Sequence, residues 1–183
     1  GRYDHGIFGR RLYKKSERAV EKANVKNNSK ILDIGCGTGN LFYILSKNKS
    51  LKLYGIDISK EMLEIARNKL KSKARLINCS VNDLQKKFRK NTFDYIFMVD
   101  VFHHLPNQKD LLRNLKLLLK KNGKIIISDY SFGKLGNFIF HKLEPGNTEM
   151  HNFNEYKEML AKSGYNNVEG NNGLISMYVE GIK

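Results

Sequence analysis

The chain has 183 residues, room for one domain of ordinary size whose core needs neither disulfides nor metal to hold it. Hydrophobic residues make up 40% and charged residues 28%, no apolar run approaches the ~18 residues of a membrane span, and the start Gly1-Arg2-Tyr3-Asp4 has no signal-peptide core, so a cytoplasmic protein is expected. The 33 Lys and Arg outnumber the 18 Asp and Glu by 15, and the excess sits almost wholly in residues 1–90, with 22 basic against 8 acidic residues.

Such asymmetry draws the first half of the chain towards something anionic, whether nucleic acid, a membrane surface or a phosphorylated substrate. The ordinary alternative is a set of solvated lysines on helix faces, such as Lys60, Lys69, Lys71 and Lys73. Cys36 and Cys79 form no CxxC pair and have no His cluster at zinc spacing, so no structural metal is expected.

In chain order, Tyr3 through Asn28 comes first, a basic and aromatic segment with Phe8, Tyr13, Arg10, Arg11, Lys14, Lys15 and Arg18, and with Gly6 and Gly9 as hinges. Strands are then predicted at Lys30–Ile34, Leu51–Ile56, Ala74–Cys79, Phe93–Val99 and Lys124–Asp129, each nearly continuously apolar, as strands buried on both faces are. Between them, Lys60–Leu70 puts Met62, Ile65, Ala66 and Leu70 on one helical face behind the N-cap Ser59. Leu111–Lys121 repeats the pattern and is expected to end at Asn122-Gly123. After the fifth strand a Gly- and aromatic-containing stretch, Ser131 to Met150, leads to a helix near Asn154–Ser163. Strands near Tyr165–Glu169 and Leu174–Ile182 follow, joined by Asn171-Asn172-Gly173. Alternating strands and helices give an α/β fold: a doubly wound, mostly parallel sheet with an antiparallel C-terminal hairpin.

The sharpest motif is Ile31-Leu32-Asp33-Ile34-Gly35-Cys36-Gly37-Thr38-Gly39-Asn40, a strand running through a glycine turn into a helix. Glycines suit positions of positive φ or close ligand approach, and the free N–H groups at the helix start favour a carboxylate or phosphate. Asp57 follows Gly35 by 22 residues at the end of the second strand, where a carboxylate can accept both hydroxyls of a ribose. The third strand ends Asn78-Cys79-Ser80-Val81-Asn82-Asp83, placed to flank a base. Three strand ends thus converge on a nucleoside. A nicotinamide or flavin site is the competing reading, but Asn40 stands where the third glycine of that fingerprint belongs.

Leu32–Gly39 resembles the first motif of class I S-adenosylmethionine-dependent methyltransferases, and Gly55–Ser59 the acidic loop after it. Thr92–Ile96, Phe102-His103-His104-Leu105, and Leu118 through Ile125 are similar to later blocks of the ubiquinone/menaquinone-methyltransferase-like (type 11) branch. The resemblance covers about residues 30–183. It implies a Rossmann-like domain over residues 29–183, preceded by a helical lid over residues 1–28 that brings Tyr3 and Phe8 onto the substrate. It further implies that Gly35, Cys36, Gly37 and Gly39 line the methionine half and ribose of S-adenosylmethionine, with Asp33 near the ammonium and Asp57 on the ribose hydroxyls. Ile58 and Met62 would pack on adenine and the Val81 N–H would meet its ring. Ser80 stands where the family usually has an acidic residue, and Asp83 is the nearest replacement.

A sulfonium-borne methyl group needs only an aligned, dry nucleophile. Asp100, His103 and His104, after the fourth strand, are the candidate catalytic residues, since His is the side chain most readily tuned as a base near neutrality. His141 and His151 rank behind them. Base-amine methyltransferases carry an Asp/Asn-Pro-Pro-aromatic motif where this chain reads Val99-Asp100-Val101-Phe102, which disfavours nucleic acid as acceptor. The expected reaction is methyl transfer to O, N or C of a small molecule that is quinone-like, lipid-like or anionic, leaving S-adenosylhomocysteine. The alternative is an RNA- or membrane-associated protein that uses the same fold.

Overall fold

The computed structural model describes residues 6–131, 151–173 and 176–183. The chain opens with a helix, α1 (Gly6–Ala23), and continues β1 (Lys30–Ile34), α2 (Asn40–Leu45), β2 (Lys52–Asp57), α3 (Lys60–Leu70), β3 (Ala74–Asn78), α4 (Leu84–Lys87), β4 (Phe93–Val99), α5 (Gln108–Leu118), β5 (Leu119–Tyr130), α6 (Phe153–Lys162), β6 (Asn166–Asn172) and β7 (Ser176–Ile182). The seven strands form one sheet in the order β3-β2-β1-β4-β5-β7-β6. β1 to β5 are parallel, and β7 pairs antiparallel with both β5 and β6.

The core lies on both faces of the sheet. Leu32, Ile34, Ile96 and Met98 pack with Leu112 and Leu115 of α5 and Leu160 of α6, while Ile31, Phe97 and Ile126 pack with α1, α2 and α3 through Ala19, Phe42 and Ala66. Alternation along β1 therefore puts Asp33 on the α1–α2–α3 face, beside Ile31. In β4, Asp94 interrupts an otherwise apolar run because it accepts from the Lys30 N–H at 2.8 Å and from Lys120 Nζ at 2.8 Å. α3 begins as its sequence demands, with the Ser59 hydroxyl accepting from the Met62 N–H at 3.2 Å. α6 is held by a capping box, Asn152 with Glu155.

The α5–β5 junction departs from expectation. The helix starts at Gln108 and stops at Leu118, and Asn122-Gly123 lies inside β5 rather than capping a helix. Leu119 already pairs with Phe93, the register shifts before Tyr95 meets Lys124, and Asn122 absorbs the irregularity at φ 62. Tertiary pairing takes over from a helical pattern that Leu118 and Leu119 would have continued. Among the described residues no helix is long and apolar enough to cross a membrane, and no group of three or more His, Cys, Asp or Glu is placed to hold a metal ion.

Candidate active site

Crossovers leave β1 in both directions, towards β2 and β3 on one side and β4 and β5 on the other, so a crevice opens at the carboxyl ends of β1 and β4. The glycine loop lies there. Gly35, Gly37 and Gly39 have φ of 68, 50 and 79, a conformation that costs an L side chain about 1–2 kcal/mol. Their surroundings differ. A Cβ on Gly35 would lie 2.4 Å from Val101 Cγ2 and one on Gly39 2.8 Å from Leu70 Cδ1, whereas at Gly37 it would meet nothing within 4 Å. Packing demands the outer two glycines, and the middle one leaves bare main chain facing open space.

Asp57 ties this loop to the next. One carboxylate oxygen accepts from the Gly37 N–H at 2.8 Å and the other from the Ser59 N–H at 2.9 Å. The Asn78 amide donates to the carbonyls of Asp57 and Ile58, both at 2.9 Å, which holds the β2 tip from the neighbouring strand. Beyond it Ile58 is 78% exposed, an apolar side chain standing in the open with the half-buried Met62 beside it on α3. The Ser80 hydroxyl accepts from the Asn82 N–H at 3.3 Å and opens the single turn Val81–Asp83, while Asp83 accepts from Lys86 at 3.0 Å.

Under the loop, Asp33 is 3% exposed, and burial, reinforced by Asp57, pushes its carboxyl well above the ordinary range. A cationic group arriving here would relieve that cost. Burial, with Asp33 and Asp57, likewise pushes the Cys36 thiol up, so Cys36 is a packed neutral side chain rather than a nucleophile.

The predicted catalytic residues gather across the crevice, and the structure gives them different situations. Asp100 sits in a left-handed turn at φ 60, and its carboxylate pairs with Lys15 of α1, whose ammonium also lies 3.6 Å from the centre of the Tyr130 ring. His103 is 1% exposed, its Nδ1 2.6 Å from Asp129 Oδ1, and its backbone N–H donates to the other Asp129 oxygen at 3.1 Å. The half-buried His104 packs against it, ring centres 4.0 Å apart and planes tilted by 45°. Gln108 carries the order outward, donating to the Phe102 carbonyl at 3.0 Å and meeting His151 Nε2 at 2.7 Å. Tyr3 and His141 lie outside the described residues, and Phe8 lies in the first turn of α1.

Asp129 and Gln108 were not singled out by the motifs, and Lys15 was named only within the basic segment Tyr3 through Asn28. A buried acid ending a strand (Asp129) and a lysine among aromatic residues (Lys15) are the signals that sequence carried for them, but their partners lie 26 and 85 residues away.

A sheet with a switch-point crevice, a three-glycine loop and a carboxylate at the adjoining strand tip define a nucleoside-binding transferase of the Rossmann-like class. Residues 25–173 match the family described as Methyltransferase domain, and the chain belongs to it: it is an S-adenosylmethionine-dependent methyltransferase domain. Phosphoethanolamine N-methyltransferase 1 of Triticum aestivum is 28% identical over 159 residues, covering 85% of this chain and 32% of that protein. Demethylmenaquinone methyltransferase of Geobacillus sp. is 29% identical over 150 residues, 76% of this chain and 64% of the relative. The structure of Haemonchus contortus phosphoethanolamine N-methyltransferase 2 in complex with S-adenosyl-L-methionine superposes with a TM-score of 0.81 at 16% identity, over 99% of this chain and 59% of that one, a likeness of fold. The chain spans about a third of the length of the plant relatives.

Proposed function

We propose that this domain methylates an O, N or C atom of a small molecule, with a phosphorylated amino alcohol the first candidate and a quinone-like ring the second. Relatives named for phosphoethanolamine and demethylmenaquinone support the two choices. The observation that carries the reading is the cluster of Asp100, His104 and the His103–Asp129 pair at the ends of β4 and β5, across one crevice from the glycine loop.

The residues present fit S-adenosylmethionine. The bare main chain at Gly37, with Gly35, Cys36 and Gly39 on either side, takes the methionine half and ribose. Asp33 offers its buried carboxyl to the ammonium and Asp57 its oxygens to the ribose hydroxyls. Ile58 and Met62 flank the adenine, and Ser80 and the Val81 N–H meet its edge. When bound, the cofactor supplies a methyl group already activated by its sulfonium.

The chain's own residues then have three tasks. His104 and Asp100 face the acceptor and take up the proton its nucleophile releases. His103, held by Asp129 on both its ring and its backbone, fixes that turn from behind and is a positioning residue. The segment 1–28 acts as the lid that excludes water, anchored by Lys15 on Asp100. Incubation with methyl-labelled S-adenosylmethionine and phosphoethanolamine, ethanolamine, a demethylated quinone or total RNA tests the reading. Label in a small product is expected, and label in RNA alone refutes it.

A further inference from the structure

A second cleft lies between α1 and the start of α2, next to the end of the glycine loop, where Asn40 follows Gly39. It encloses about 400 Å³ between α1, α2 and α3 and is lined by Arg10, Tyr13, Lys14, Tyr43 and Lys69, with Gly9 and Asn40 completing the wall. Three of these side chains are cations and none is an acid. Tyr43 is 48% exposed although it is an aromatic residue on a helix that buries Leu41, Phe42 and Leu45. Lys69 is held in the wall by Asn40 Oδ1 at 3.0 Å and Thr38 Oγ1 at 3.5 Å, so one of the three charges has a fixed place.

We infer that this cleft binds a nucleotide unit of a single-stranded nucleic acid, with Tyr13 and Tyr43 as stacking surfaces and Arg10, Lys14 and Lys69 on the phosphates. Aromatic rings interleaved with cations along a groove are how single strands are held without reading their sequence, because every base has a flat face and every linkage a negative charge. The cleft also has a continuation. Arg10, Lys14, Arg18 and Lys22 recur every four residues along α1, and all four are exposed, which extends one row of positive charge past the cleft. Five of the 22 basic residues of 1–90 therefore lie along the cleft and its continuation, with Glu17 and Glu21 also exposed on α1.

A membrane surface would answer the same charge, but a helix that lies in a bilayer interface needs an apolar face to bury there. In α1 that face is already used: Ala19 and Ala23 are fully buried, and Leu12 and Val20 pack with them against the sheet. None of the residues that line the cleft is one proposed above to meet the methyl acceptor. Its binding stands or falls independently of the acceptor, and it is read by affinity rather than by turnover.

The test is fluorescence anisotropy of the whole chain with a labelled oligouridylate of roughly twelve residues, between about 50 and 300 mM salt. Three phosphate contacts at about −0.7 each give an expected slope near −2 for the logarithm of affinity against the logarithm of salt. Tyr43→Ala, an exposed position whose loss does not disturb the fold, should weaken binding by about five- to a hundredfold. Arg10→Glu with Lys14→Glu should weaken it further and flatten the slope. The charge-matched pair Lys109→Glu with Lys121→Glu, on exposed positions elsewhere, should leave affinity within about twofold. An equal loss in that control, an unchanged affinity in Tyr43→Ala, uridine monophosphate binding as tightly as the oligomer, or binding to phosphatidylserine vesicles with none to the oligomer would each overturn the proposal.

Discussion

Replacing Gly35 and Gly37 by alanine, one at a time, separates packing from ligand approach in the same loop. Both residues have positive φ, so each alanine carries a backbone cost of about 1–2 kcal/mol, partly offset by about 0.4–1 kcal/mol through the stiffer unfolded chain. At Gly37 nothing else is added, since the new methyl meets no atom within 4 Å, and the net loss should be about 1 kcal/mol. At Gly35 the methyl lands 2.4 Å from Val101 Cγ2 and 2.9 Å from its Cβ, a β-branched side chain with little rotamer freedom, so overpacking adds about 1–3 kcal/mol. For a domain of this length the melting temperature should fall by about 6–12 °C in Gly35→Ala and by about 2–4 °C in Gly37→Ala. Melts repeated with S-adenosylhomocysteine invert the order of interest. At about a hundredfold over its dissociation constant the ligand stabilises the parent by about 2.7 kcal/mol, and this shift should vanish in Gly37→Ala, whose methyl occupies the space the ligand needs. Equal melting losses in the two variants, or a full ligand shift in Gly37→Ala, would refute the assignment of the middle glycine to ligand approach.

Further predictions concern the charged groups. Asp33 has a folded-state pKa raised above its ordinary 3.8 by burial and by Asp57, so its contribution to stability is intact at low pH and declines as pH rises through the raised value. Urea unfolding from acid to neutral pH should show this fall in the parent and lose it in Asp33→Asn, and an identical pH slope in both would contradict the burial argument. Lys15→Met leaves Asp100 without its partner in a largely enclosed site, which should cost about 1–2 kcal/mol and raise amide exchange along α1; unchanged exchange would mean that the pair does not anchor the helix. Asp129→Ala strands the fully buried His103 and should cost about 3–5 kcal/mol in chemical unfolding. His104→Gln should leave the melt within about 1 kcal/mol and lower turnover by about a hundredfold or more, and a wild-type rate would remove His104 from the reaction.

Elements whose apolar pattern and caps agree were legible in the sequence. β1, β4 and α3 fall on the expected residues because their runs are continuous and Ser59 stops the chain from starting α3 elsewhere. The α5–β5 junction was misplaced because Leu118 and Leu119 satisfy a helix and a strand equally, and only Phe93, a partner 26 residues back, decides between them. The glycine loop and Asp57 stood out because their contacts are made by main chain at fixed spacing. The acceptor side was less legible. His103 and His104 are adjacent in sequence yet one is sealed against Asp129 and the other is half-buried, a difference that depends on β5 lying beside β4. The role of α1 depends likewise on Lys15 meeting Asp100 across the fold.

The central claim is that Asp57 grips the ribose of S-adenosylmethionine above the glycine loop, and calorimetric titration of S-adenosylmethionine into the parent and into Asp57→Asn tests it most directly. The asparagine keeps one acceptor oxygen for the Gly37 and Ser59 N–H groups that the carboxylate serves with two, and it loses the charge, with each hydrogen bond to a charged group worth about 1.5–3 kcal/mol. The account predicts an affinity lowered by about ten- to a hundredfold or more, beyond the loss of about 1–3 kcal/mol that the missing loop bond takes from the unliganded melt. An affinity within about twofold of the parent would contradict it.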